Sequence, residues 1–74
     1  MARFSVTFVV RHKVHASGLV LRRGDPVVAF SAYECHEEAH GWHIDGQFLT
    51  PLSGKEYGLV VKQIARRLQA ISDD

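Results

Sequence analysis

Seventy-four residues, 46% hydrophobic and 23% charged, allow one small globular domain over 1–74 and leave little material for a deep active-site cavity. No apolar run approaches the roughly 18–20 residues of a membrane span, so no membrane contact is expected. The single cysteine, Cys35, excludes an internal disulfide and points to a reducing cytoplasm, while a net charge of +1 is small for a dedicated nucleic-acid domain.

From Arg3 to His15 the residues alternate, with Phe4, Val6, Phe8, Val10 and Val14 on one side and Arg3, Ser5, Thr7, Arg11 and Lys13 on the other. Period two in β-branched and aromatic residues predicts a half-buried strand. Ala16-Ser17-Gly18 predicts a turn, Leu19–Arg23 a second strand, and Gly24-Asp25-Pro26 a break before a third strand opening at Val27. The simplest arrangement of these runs is an antiparallel meander.

Residues 31–41 admit two readings. Ser31 with Glu34 forms a capping box, and the alanine and glutamate content with Gly41 behind it favours a helix. The rival reading carries the third strand on through Tyr33 and Cys35 and turns around Ala39-His40-Gly41. Next, Asp45-Gly46 between Trp42–Ile44 and Gln47–Leu49 predicts a hairpin turn. Thr50-Pro51 or Ser53 then caps a helix to about Ile71, with Tyr57, Val60, Val61, Ile64, Leu68 and Ile71 on one stripe. Gly54 and Gly58 weaken its first turn and could move its start toward Gly58. The expected fold is therefore α+β: a small antiparallel sheet of three to five strands, curled or partly closed like a barrel, with a C-terminal amphipathic helix. The expected core is Phe4, Val6, Phe8, Val10, Leu21, Phe30, Ile44, Phe48, Val61, Ile64 and Leu68.

His36-Glu37-Glu38-Ala39-His40 matches H-E-x-x-H, in which two histidines one helical turn apart hold zinc. His43 joins the same face if the helix continues, so His36, His40 and His43 are the candidate metal ligands. The alternative is a set of solvent-exposed histidines with only incidental affinity. Cys35 beside His36 and His40 could be an activated thiol, or simply a small buried hydrophobe. For nucleic acid, Arg3, Arg11 and Lys13 with Arg22 and Arg23 could form a basic sheet face, although few aromatics interleave with it. For a protein partner, Val9 breaks the polar side of the first strand, and Leu59 stands beside Lys62 and Arg66 off the apolar stripe of the helix.

Cys35, His40-Gly41-Trp42-His43 and Gly58-Leu59-Val60-Val61, preceded by Phe30-Ser31-Ala32, resemble motifs of the 6-pyruvoyl-tetrahydropterin synthase family. The resemblance implies a catalytic role for Cys35 and zinc ligation by His40 and His43. Three departures oppose it: Glu34 occupies the place of that family's first zinc histidine, Trp42 splits the His pair, and Lys62 replaces an aspartate. No catalytic residue and no cofactor other than zinc are expected. The expected function is non-catalytic binding or regulation through a protein partner or a second copy. A nucleic-acid module and a zinc-binding protein are the alternatives.

Overall fold

The structure, a computed structural model, describes residues 5–23 and 28–74. Phe4, Arg3 and the Gly24-Asp25-Pro26-Val27 break lie outside the described residues. In β1 (Ser5–Val10) the alternation acts as expected, turning Phe8 and Val10 into the core and leaving Ser5, Thr7 and Val9 exposed. It is joined by β2 (Val20–Arg23), β3 (Val28–Glu38) and β4 (Gly41–Phe48) in one antiparallel sheet of order β1-β4-β3-β2. The C-terminal helix α1 (Gly54–Asp73) completes an α+β fold. The sheet keeps two edges, β1 and β2, and does not close into a barrel.

Three expectations need correction. First, β1 and β2 are not neighbours in a meander, and the first strand stops at Val10 rather than His15. The chain then crosses the helix side of the sheet: Val14 and Ala16 are buried in the core, and the Val14 N–H donates to Cys35 Sγ at 3.5 Å. The turn at Ala16–Leu19 is as expected, closed by the Leu19 N–H on the Ala16 carbonyl at 2.9 Å with Gly18 at φ 76°.

Second, residues 31–38 are strand, not helix, and the rival reading holds through to the turn at 39–40. A β-bulge explains why the alternation was hard to see. Tyr33 is an extra residue between the Ala32↔Gly46 and Glu34↔Asp45 pairs, and it resets the phase of β3. Phe30 and Ala32 face the helix before the bulge, and Cys35, paired with Ile44, does so after it. Glu34, His36 and Glu38 consequently share the open face with Asp45 and His43.

Third, Asp45-Gly46 is not a turn but the middle of β4. Gly46 is buried because the Phe30 ring lies over it, where a Cβ would strike both that ring and the Ser31 carbonyl oxygen. The turn is made instead at Ala39-His40, with Gly41 at φ 141°, where a Cβ would stand 2.7 Å from the Val10 carbonyl oxygen.

The core joins the two layers. Phe30 packs edge-on to Phe8 and Phe48 at centroid distances of 5.1 and 5.6 Å, and Val60, Ile64 and Leu68 of α1 are fully buried. Val60 takes the place expected of Val61, which is half-buried. Ser53 caps the helix through a complete capping box with Glu56, so α1 starts ahead of Gly58. At the other end Ser72 rather than Ile71 is buried. Its Oγ accepts the His12 N–H at 2.7 Å and donates to the His12 carbonyl at 2.9 Å, fastening the helix to the segment after β1. No described helix is long and apolar enough to cross a membrane.

Candidate metal centre

The hairpin β3–β4 places His36 directly opposite His43, a register in which side chains on one face are nearest neighbours. Their rings stand 5.6 Å apart between centroids. Two residues along β3, Glu38 points to the same side, and its Oε1 lies 3.2 Å from His36 Nε2. Ligating atoms of His36, Glu38 and His43 all fall within 4.8 Å of one another. Donors held at zinc distances of about 2.0–2.2 Å stand roughly 3.4 Å apart around a tetrahedral ion. Small side-chain rotations therefore close the gap.

The other nitrogen of His36 faces two more carboxylates. Nδ1 is 3.4 Å from Asp45 Oδ2 and 3.5 Å from Glu34 Oε1. Glu34 and Asp45 are themselves cross-strand partners at the bulge, and like charges directly opposite each other disfavour the pairing. Asp45 is the better fixed of the two: the Thr7 hydroxyl donates to its Oδ1 at 2.6 Å, and its side chain is 22% exposed against 59% for Glu34. His36 Nδ1 is shut off from solvent, yet neither carboxylate contact has the geometry of a hydrogen bond.

The face thus gathers two of the three histidines expected as ligands. His40 is exposed in the turn between β3 and β4, so the helical face shared by His36, His40 and His43 does not exist. Glu38, Glu34 and Asp45 were missed because their proximity is set by strand register and not by sequence spacing. Once a turn is placed at 39–40, the pairing of His36 with His43 follows by counting back along both strands.

The remaining candidates are dispersed. Cys35 faces the helix layer, half-buried, with its sulfur engaged by Val14, while its neighbour His36 points to the opposite side. Among the basic residues, Arg11 pairs with Asp73 at 3.6 Å and the Lys13 ammonium sits 5.8 Å from the centroid of the Trp42 ring. Arg22 lies on β2 at the far edge, where its carbonyl accepts from Arg67, and Arg23 ends that strand; Arg3 lies outside the described residues. Val9 is exposed on the open face of the sheet beside His43, whereas Leu59, Lys62 and Arg66 are exposed on the helix. The sheet lies between these two surfaces, so they do not form one patch.

No family model matches the chain, and no curated protein or solved structure matches it either.

Proposed function

We propose that the protein binds one divalent transition-metal ion on the open face of its sheet, held by His36, His43 and Glu38. The observation that supports this is the convergence of two imidazoles and a carboxylate from opposed strands. Two nitrogen donors and one oxygen suit zinc, nickel or copper, and disfavour magnesium and calcium, which take oxygen ligands. A cation here also offsets the crowding of Glu34, Glu38 and Asp45 around one histidine. The role is binding rather than catalysis, because the site stands on the open side of a single sheet without walls to exclude water from a fourth position.

Calorimetric titration of the metal-free protein with zinc tests this reading. One equivalent should bind at about pH 7.5, with magnesium giving no heat. Binding should weaken steeply at about pH 5.5, because an imidazole must shed its proton to ligate and protons then compete with the metal. Absence of stoichiometric binding at the higher pH, or equal affinity at both, contradicts the proposal.

Contact with a protein partner or a second copy is a second reading. It is favoured by β1, an edge strand whose six residues include no proline and no charge, and whose exposed face carries Val9. Self-association by this edge would give a sedimentation mass that rises with concentration and falls back in Val9→Asp. A monomer at every concentration removes the second copy as the partner.

A further inference from the structure

We infer that Asp45, clamped by Thr7, is the positioning residue of this site: it fixes the proton of His36 on Nδ1 and so presents the Nε2 lone pair to the metal. The inference rests on the metal-binding reading and adds to it a group that does not itself ligate.

A neutral imidazole carries one proton, on either nitrogen, and only the other nitrogen can bind a metal. At His36 the two sides differ. Nδ1 is screened from water and faces Asp45 Oδ2 at 3.4 Å and Glu34 Oε1 at 3.5 Å. A bare lone pair at Nδ1 would lie beside two anionic oxygens, whereas an N–H there has two acceptors within reach of a small side-chain rotation. Nε2 faces one carboxylate, the half-exposed Glu38 at 3.2 Å, which turns to the ion when one is bound. Two carboxylates around a solvent-screened Nδ1 therefore favour the Nδ1–H tautomer and direct Nε2 toward Glu38 and His43.

Of the two carboxylates, Asp45 is the one able to hold a direction. It stands between Thr7 of β1 and His36 of β3, its Oδ1 accepting from the Thr7 hydroxyl at 2.6 Å and its Oδ2 on the side of Nδ1. Glu34 is longer and more exposed. Strand register sets Thr7 opposite Asp45 and His36 diagonal to it, two residues along β3 from Glu34, so the three side chains form an outer-sphere chain of the kind that orients ligating histidines in metal sites. A cation at Nε2 draws charge from the ring, makes the Nδ1–H a stronger donor and rewards closure onto Asp45.

Asp45→Asn separates orientation from packing, since asparagine keeps the shape but can turn an N–H toward Nδ1 and drive the proton to Nε2. Two measurements are made on the folded protein. In the metal-free state at about pH 8, two-bond proton–nitrogen correlation spectra read the tautomer of each histidine. The wild type should show His36 as Nδ1–H, and Asp45→Asn should move it toward Nε2–H with His40 unchanged. Zinc titration should show Asp45→Asn weakened about 10–100-fold, with Thr7→Val affected in the same direction and less. An unchanged tautomer with affinity within about twofold of wild type overturns the positioning role while leaving the metal site standing. A wild type that binds no zinc overturns the metal reading itself, and the metal-free tautomer comparison then decides alone whether Asp45 orients His36.

Discussion

Gly46→Ala is expected to remove most of the protein's stability at 25 °C, while the same replacement at Gly58 makes it more stable. At position 46 the new methyl group meets the Phe30 ring and the backbone carbonyl oxygen of Ser31, closer than non-bonded atoms approach. The ring cannot retreat, because Phe30 is completely buried between Phe8 and Phe48. The carbonyl cannot retreat without opening the β3–β4 ladder, in which Ser31 pairs with Gln47 and Ala32 with Gly46. Overpacking typically costs about 1–3 kcal/mol, and a clash with both a buried ring and a ladder carbonyl belongs at the upper end of that range. A core of this size seldom supplies more than about 3–5 kcal/mol in total. Gly58 has nothing within 4 Å of the Cβ position and sits inside α1, so alanine there contributes about 0.5–1 kcal/mol through helix propensity. Urea unfolding followed by circular dichroism reads both. A Gly46→Ala midpoint close to wild type would mean that Phe30 does not lie over β4 as described.

His36→Ala and His43→Ala should each weaken zinc binding by about 100-fold, because each removes one of only two nitrogen donors. Glu38→Gln should weaken it less, since an amide oxygen still reaches the ion without the charge. His40→Ala should leave the affinity within about twofold of wild type, as His40 is exposed in the turn and is not among the converging ligands. The same order should appear in thermal stability. Saturating zinc at 100 times its dissociation constant stabilises the wild type by about 2.7 kcal/mol, and the two histidine variants should lose that gain. Equal losses in His36→Ala and His40→Ala would restore the helical spacing of H-E-x-x-H and contradict the strand.

Which parts of this architecture were legible in the sequence depends on whether a pattern is local. Alternation in Ser5–Val10, the turn at Gly18 and the stripe Val60, Ile64, Leu68 depend on residues close in the chain, and they were readable. The segment 31–38 was not, because the bulge at Tyr33 breaks the period of two while Ala32, Glu34, Glu37 and Glu38 carry helical preference. Asp45-Gly46 misled for a different reason. Glycine is needed there for the Phe30 ring above it, and the aspartate for Thr7 beside it, so both turn-forming residues are explained by tertiary contacts. The site shows the same division. His36 and His43 stood out by residue type, but their partners Glu38 and Asp45 became visible only when strand register brought them to one face.

Anomalous diffraction at the zinc edge, from crystals grown with one equivalent of zinc, tests the central claim most directly. A single strong peak bonded to His36 Nε2, His43 and Glu38, with Asp45 closed onto His36 Nδ1, is the predicted result. A peak on His40 or on the Asp73-Asp74 tail, with the open face of the sheet empty, would contradict it.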